Sequence, residues 1–325
     1  MASRSANPQK QADRMRRIYL FTLVIIMTAI SVTHAQMMQH SGPPPLSMSS
    51  VSDTTATNQW AWYNSSGKKV TFKKVVRKAM DNQIILFGEL HNDRICHALQ
   101  LGLYTELIQQ KAGKVVLGME MLERHQQSGI DSFLNGHYTD SALMKTHKLW
   151  PNHKSDYQPL IWMAKANQLK CIATNVPRKY ARLVSKLGPS ALDTLSSEEK
   201  RLMCPLPYVV DTMLNCYKQL LTMGHGDQFN GYYFASAQAL KDASMAHFIL
   251  ENWNEGEVFL HLNGAYHSDF HESIVWYLNQ KNPKLKILVI STTESETLIP
   301  EDKNEFKKGD FILVTHPNNP KSYKD

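Results

Sequence analysis

Two histidines and two glutamates stand at or just beyond the ends of short apolar runs, where they could do acid–base or metal chemistry. They lie in Gly88-Glu89-Leu90-His91, in Gly118-Met119-Glu120 and in Gly264-Ala265-Tyr266-His267. Residues two apart on a strand share a face, so Glu89 and His91 point the same way if the strand continues. Two imidazoles and two carboxylates could hold a divalent metal through His91, Glu120 and His267, or serve as acid and base.

A third apolar run leads into Asn175-Val176-Pro177-Arg178. The Arg178 guanidinium suits a bidentate contact with a carboxylate, and its alternative role is to bind carbonyl groups at the turn. Each motif alone occurs often by chance, so the inference depends on their convergence. If the strands are parallel, all these groups meet at one edge of a sheet, and we predict a shared pocket there.

The elements that must position these groups alternate along the chain. The predicted strands are Ile84–Glu89, Val115–Glu120, Lys170–Thr174, Val258–Leu262, Lys286–Ser291 and Phe311–Thr315. The helical patterns between them include Arg94–Lys111, Gln158–Gln168, Tyr232–Asn252 and His267–Gln280. Strands separated by helices indicate an α/β fold with a mainly parallel sheet flanked by helices.

The chain also divides by composition. Residues 182–230 show no strand pattern and predict a smaller all-helical subdomain, inserted between a first α/β part (59–181) and a second (231–325). Residues 36–58 are rich in Ser, Thr and Pro and predict a disordered linker. Cys204 and Cys216 could form a disulfide in an oxidising compartment or remain small buried thiols.

Residues 1–35 have the features of a secretory signal peptide. Met15-Arg16-Arg17 precedes the apolar run Ile18–Val32, and Thr33-His34-Ala35 follows it. The run of 15 residues is shorter than the roughly 17–25 that span a bilayer, which favours cleavage after Ala35. The alternative, an uncleaved signal anchor, would be the chain's one contact with a membrane. We therefore predict an exported protein, either periplasmic or secreted.

The charge pattern argues against a nucleic-acid partner. The net charge is +7, of which residues 1–35 carry +4. The segment Lys68–Lys78 holds six basic residues, but its apolar residues recur at helical spacing, so the basic ones form the solvated face of an amphipathic helix. The aromatic residues of a nucleic-acid groove are missing there.

The order and spacing of the motifs over residues 59–295 resemble the ChaN family, the haem-binding uptake group of the Tiki superfamily. The matching residues are Gly88-Glu89-Leu90-His91, His97, Gln100, Glu120-Met121, Gln126, Trp150, Tyr157-Gln158-Pro159-Leu160, Asn175-Val176-Pro177-Arg178, Ala237-Gln238, Lys241-Asp242, Met245 and Gly264-Ala265-Tyr266-His267.

This resemblance implies an exported protein of iron or haem acquisition that binds haem or a related porphyrin. The studied branch of the family is similar to a lipoprotein that dimerises around two stacked haems held by tyrosine, so a homodimer is implied too, although this chain lacks the lipobox cysteine. Tyr157 and Tyr266, which lie beside matched motifs, become the candidate iron ligands. The full set of cofactor-binding residues that we expect is Glu89, His91, Tyr157, Arg178, Tyr266 and His267.

The wider superfamily implies an alternative function. Its members include the Tiki proteases and erythromycin esterase-like enzymes, which use paired GxxH motifs and a glutamate for hydrolysis, in some cases with a metal. On this chain the pattern assigns catalysis to Glu89, His91, Glu120 and His267. A binding protein is favoured, and a metal-dependent hydrolase is the alternative.

Overall fold

Eight strands form one sheet at the centre of the fold. The computed structural model describes residues 59–222 and 230–323. Its strands are β1 (Trp60–Asn64), β2 (Lys69–Val70), β3 (Ile84–Glu89), β4 (Val115–Glu123), β5 (Cys171–Asn175), β6 (Val258–Gly264), β7 (Ile287–Glu294) and β8 (Phe311–Thr315). The order in the sheet is β2-β1-β8-β7-β3-β6-β4-β5. Strands β3 to β8 are parallel and β1 is antiparallel to both of its neighbours, which confirms the mainly parallel α/β sheet.

Helices cover both faces of the sheet. They are α1 (Phe72–Ala79), α2 (Arg94–Lys111), α3 (Gln127–Leu134), α4 (Asp140–Thr146), α5 (Gln158–Ala166), α6 (Arg178–Leu187), α7 (Ser197–Lys200), α8 (Asn215–Thr222), α9 (Gly231–Asn252) and α10 (Ile274–Lys281). Among the described residues no helix is both long enough and apolar enough to cross a membrane.

Alternation along the central strand builds the two layers of core. Ile85 and Phe87 pack into the cluster shared with α1 to α5, whereas Ile84 and Leu86 pack into the cluster shared with α6, α8, α9 and α10. Both faces are apolar because both are covered, as expected of a parallel sheet. Each fully buried aliphatic or aromatic side chain contributes about 1.5–3 kcal/mol, so this double core holds the strand ends in place.

The predicted helix His267–Gln280 is wrong at its beginning. Two short 3₁₀ turns (Ala265–His267 and Asp269–His271) follow β6, and α10 begins only at Ile274. Positive φ angles at Phe270, His271 and Ser273 break the helical path. His271 therefore does not share a helix face with His267. Its Nε2 instead lies 3.2 Å from Asp310 Oδ2 at the surface.

The predicted helical subdomain (182–230) is described except for residues 223–229. Its described residues contain the end of α6, the short helix α7, the helix α8 and turns, and no strand. Tyr217 and Leu220 of α8 pack into the same core as α9. The limits of an inserted subdomain remain a prediction, and the predicted signal peptide and linker (1–58) lie outside the described residues. All four cysteines are free thiols, so Cys204 and Cys216 are not joined.

Candidate functional site

The first carboxylate of the site is Glu89, the last residue of β3. It is fully buried and accepts three side-chain hydrogen bonds, from His91 Nδ1 (2.9 Å), the Tyr157 hydroxyl (2.6 Å) and Gln100 Nε2 (2.8 Å). Burial alone would raise the pKa of Glu89, but the charge of His97 and the hydrogen bonds from His91 and Tyr157 hold it below its usual value. Glu89 is therefore ionised at neutral pH.

Asp93 fixes the loop that leads from β3 into α2. As the residue that caps the helix it accepts hydrogen bonds from the backbone N–H groups of Ile95 (2.9 Å) and Cys96 (3.0 Å). Its other oxygen accepts a 2.5 Å hydrogen bond from the Thr315 hydroxyl on β8. The beginning of α2 is thus set by both the local sequence and the sheet.

Helix α2 and the turn before α5 hold the backbone of His91. His97 Nε2 lies 3.1 Å from the His91 carbonyl oxygen, and Asn152 Nδ2 donates to the same oxygen at 2.9 Å. Asp156 Oδ2 accepts from Asn152 Nδ2 at 2.7 Å and lies 3.5 Å from His97 Nε2. His97 therefore holds His91 in place through the main chain.

A late segment of the chain closes over this loop. Residues 316–322, which we call the strap, follow β8. Ser322 N–H donates to the Asn92 carbonyl oxygen at 2.8 Å, and the Ser322 hydroxyl donates to Asp156. Lys321 forms a β-bridge with Asp93. The strap therefore contacts both the loop after β3 and Asp156, which together hold the backbone of His91.

The second carboxylate, Glu120, lies where the register between β4 and β5 shifts between Met119 and Glu123. Such irregularities re-aim a side chain. The Glu120 carboxylate is buried. Its Oε2 accepts a 2.7 Å hydrogen bond from the Gly264 N–H, and its Oε1 lies 3.2 Å from His267 Nε2. Burial raises the pKa of Glu120, but the charge of His267 outweighs it and holds the pKa well below its usual range.

His267 is held between two carboxylates. Its Nδ1 lies 2.5 Å from Asp242 Oδ1 of α9, and Asp242 Oδ2 accepts a 2.6 Å hydrogen bond from the Tyr217 hydroxyl. Burial lowers the pKa of His267, but the charges of Glu120 and Asp242 and their hydrogen bonds raise it to about 10. His267 is therefore an imidazolium at neutral pH with both nitrogens engaged.

His91 is the member of the cluster that reaches solvent. Its side chain is 32% exposed, whereas those of Glu120 and His267 are 5% and 8% exposed. A methyl group on Gly264 would lie 2.8 Å from His91 Nε2 and 3.6 Å from Glu120 Oε2, so only glycine leaves room between the two pairs. Burial lowers the pKa of His91, but its bond to Glu89 and the two carboxylate charges raise it overall.

The structure thus brings together the four residues predicted at the strand ends. The pair Glu89–His91 and the pair Glu120–His267 face each other across Gly264. Each imidazole is hydrogen-bonded to a carboxylate, which is an arrangement that can hold or transfer a proton.

The structure places the other predicted residues in different roles. Arg178 Nε donates to Glu123 Oε1 at 2.6 Å, and its backbone N–H donates to Glu123 Oε2 at 3.1 Å, so a ligand carboxylate would compete with Glu123. The Tyr266 hydroxyl donates to the Cys216 carbonyl oxygen at 2.8 Å. Burial raises the pKa of Tyr266, and burial and the Glu89 charge raise that of Tyr157, so both are neutral phenols here.

The predicted metal set is not arranged as a metal centre. In the two described segments of the chain, no three His, Cys, Asp or Glu side chains are grouped so that they could hold a metal ion. At His91, Glu120 and His267 the reason is local. Both His267 nitrogens contact carboxylates, and each Glu120 oxygen already has a partner, so His267 has no free nitrogen with which to bind a shared metal.

Asp242, Asn152 and Asp156 have roles in the site that the sequence pattern did not assign. Asp242 had a signal, because it is an acidic residue among Ala, Ser and Met in a helix that is otherwise largely apolar. Asn152 and Asp156 had none. Asn152 precedes a single π-helical turn (His153–Tyr157), Asp156 lies within it, and the burial of both depends on tertiary packing.

Comparison with known proteins supports the family resemblance. The family described as haem-binding uptake, Tiki superfamily, ChaN matches residues 75–278. A solved structure described as cofacial haem binding to ChaN of Campylobacter jejuni has a TM-score of 0.58 at 16% identity, covering 80% of this chain and 98% of that one. This likeness supports the fold.

Two further structures are more distant. A succinoglycan biosynthesis protein has a TM-score of 0.46 at 11% identity, covering 76% of this chain and 91% of its own. An erythromycin esterase variant in its open conformation has a TM-score of 0.40 at 11% identity, covering 79% and 83%. No curated protein matches the chain. With the family match spanning more than half of its residues, the chain belongs to the ChaN haem-binding uptake family of the Tiki superfamily.

Proposed function

We propose that this protein is exported and binds haem or a related iron porphyrin at the carboxyl edge of the sheet, beside His91 and Trp150. The observation that carries the proposal is that His91, alone of the four clustered side chains, is substantially exposed. The match to the haem-binding uptake family over residues 75–278 supports the ligand class.

The residues around His91 fit one side of a porphyrin. Sites for such ligands combine an apolar wall with a few fixed polar groups. The centroid of the Trp150 ring lies 4.7 Å from that of His91. His91 Nδ1 is held by Glu89, which is how histidines that ligate metals are commonly oriented. Histidine is one of the side chains that hold haem iron.

The predicted tyrosine ligands fit less well. An iron-bound tyrosine must be deprotonated, whereas Tyr157 and Tyr266 donate their hydroxyl protons to Glu89 and to the Cys216 carbonyl. Either tyrosine would have to give up that hydrogen bond to bind iron. Tyrosine ligation is therefore a prediction to be tested against ligation by His91.

A hemin titration tests the proposal. The chain without residues 1–35 is titrated while the Soret band is followed, and we expect saturation at about one haem per chain. We expect His91→Ala to weaken binding at least tenfold. Tyr157→Phe and Tyr266→Phe test the phenols. Tyr63→Phe is the matched control, because the Tyr63 hydroxyl donates to the carbonyl oxygen of Leu298, a residue outside the site. No saturable Soret shift in the unmodified protein would refute haem binding.

Export and self-association belong to the same proposal. The N-terminal mass of the protein recovered from its native source should correspond to a chain that begins at Gln36. Sedimentation with and without hemin measures whether two chains associate around the ligand. A retained leader, or a monomer at all hemin concentrations, would remove the corresponding part of the proposal.

One observation favours hydrolysis as a second candidate. His91 Nε2 and Glu120 Oε2 both face the space above Gly264, with Glu89 behind His91. There His91 could accept a proton from water while the ionised Glu120 and His267 orient the substrate. A metal at His91, Glu120 and His267 would first need His267 to release a carboxylate.

Screening with ester and peptide substrates, together with metal analysis of the purified protein, tests this alternative. His91→Ala should abolish turnover in a protein that still folds, although it should cost about 1–3 kcal/mol of stability because it removes a donor from the buried Glu89. Arg178→Ala should retain turnover. Equal turnover in the His91 variant would exclude a catalytic role for the pair.

A further inference from the structure

A concentrated positive surface lies apart from the carboxyl edge. The side chains that form it, which we call the basic face, are all exposed and belong to β2, α1 and the turn before them: Lys68, Lys69, Lys73, Lys74, Arg77 and Lys78. Helix α1 begins at Phe72 after its cap Thr71 and buries Val75, Val76 and Ala79. Its amphipathic pattern therefore presents the positive charges together, on the side away from the core.

The fold offsets these charges only in part, because the charge of Lys78 is near enough to Asp310 to lower the pKa of that carboxyl. None of the six forms an ion pair with any residue that the structure describes. The neighbouring carboxylates are Asp81, Glu106 and Asp310, and two of them are engaged elsewhere. Glu106 accepts from Gln110 at 2.9 Å, and Asp310 lies 3.2 Å from His271. The basic face keeps an excess of positive charge.

Two depressions flank α1 and share Lys74, Arg77 and Asp81. The larger has a volume of about 780 Å³ and is also lined by Phe72 and Met80. The smaller, of about 270 Å³, reaches Lys78 and Asp310. Basic side chains around half-buried apolar groups can bind an anionic lipid headgroup while the apolar groups contact the carbon atoms beneath it.

We infer that the basic face binds the anionic phospholipid surface of a membrane. A nucleic acid is the less suitable partner, because the single aromatic residue of α1, Phe72, packs against Trp62 with ring centroids 6.0 Å apart and is not free to stack on bases. Electrostatic attraction of this kind adds up over the lysines and arginines near the surface and is screened by salt.

Vesicle sedimentation tests the inference. The protein without residues 1–35 is used, because it lacks the apolar run Ile18–Val32 and keeps every described residue. We expect binding to vesicles of phosphatidylcholine with about one third phosphatidylglycerol to exceed binding to pure phosphatidylcholine by more than about a hundredfold. Raising NaCl from about 0.05 M to 0.5 M should remove most of the excess. Equal binding to both vesicle types would overturn the inference.

Two variants of equal net charge locate the effect. In the first, Lys73, Lys74, Arg77 and Lys78 are all changed to Gln, which keeps helix propensity. Each removed charge should weaken binding about fivefold, so the loss should exceed about a hundredfold. In the control, the exposed residues Lys145, Arg182, Lys186 and Lys218 are changed to Gln, and binding should change several-fold at most.

Each remaining outcome decides the question. Equal losses in the two variants would mean that net charge alone drives binding, and tighter binding of a DNA oligonucleotide than of the vesicles would assign the basic face to nucleic acid. If the first variant does not fold, the lipid and salt comparison on the unmodified protein still decides whether binding is electrostatic. Separate hemin titration of both variants keeps this result distinct from haem binding.

Discussion

Replacing His267 with Gln should change how the stability of the protein depends on pH. His267 is fully buried between Glu120 and Asp242, and its pKa is raised from 6.5 to about 10. A group whose pKa is higher in the folded state stabilises the fold fully below its unfolded pKa. This contribution is lost as the pH rises through the folded value.

The size of the effect follows from the two pKa values. With 6.5 for the unfolded state and about 10 for the folded state, the linkage relation gives a loss of about 3 kcal/mol in the free energy of unfolding between pH 6.5 and 9. His267→Gln should lack this component. The variant should also be less stable at pH 6.5 by about 3–5 kcal/mol, because Glu120 and Asp242 would remain buried without a cation.

Urea denaturation at pH 6.5 and at pH 9 measures both effects. The control is His137→Gln, at an exposed position, and it should follow the unmodified protein. Ring ¹⁵N shifts of the unmodified protein provide a second readout, since His267 should stay protonated at pH 8. The same pH slope in the His267 variant and the control, or a ring that loses its proton near pH 6.5, would refute the paired imidazolium.

Further substitutions test the rest of the site. Gly264→Ala should weaken hemin binding, because the added methyl would lie 2.8 Å from His91 Nε2, and should cost about 1–3 kcal/mol of stability. Tyr157→Phe should lower the free energy of unfolding by about 1–3 kcal/mol, since it removes one donor from the buried Glu89; an unchanged urea midpoint would contradict this. Arg178→Ala should alter stability by less than about 1 kcal/mol, because the Arg178 side chain is 55% exposed, and it should leave hemin affinity unchanged. A weaker hemin affinity would support the predicted contact between Arg178 and the ligand.

Sequence patterns predicted the elements whose signals are local. Helix α2 has the predicted bounds, since the capping residue Asp93 precedes it and a left-handed residue, Ala112, follows it. Strands β3 and β8 also have their predicted bounds, whereas β4, β6 and β7 continue beyond their apolar runs because polar residues there still pair in the sheet.

Other features depended on distant partners and left no local signal. Strand β1 forms by antiparallel pairing with β8, some 250 residues later in the chain. The positive φ values that delay α10 occur at Phe270, His271 and Ser273, none of which is glycine. Grouping Glu89, His91, Glu120 and His267 needed only the rule that parallel strands end together, but the roles of the tyrosines depended on where each hydroxyl donates.

The strap has a consequence for the order in which the protein becomes functional. The hydrogen bond from Ser322 to Asp156 joins residues 166 positions apart, and it can form only after the strap, which follows the last strand, has been synthesised. A nascent or proteolysed chain that ends before the strap would still contain all eight strands. It would fold around the same core yet leave the loop of His91 without its outer support. If such a fragment stays folded, the amount of folded protein would overstate the amount with a complete site.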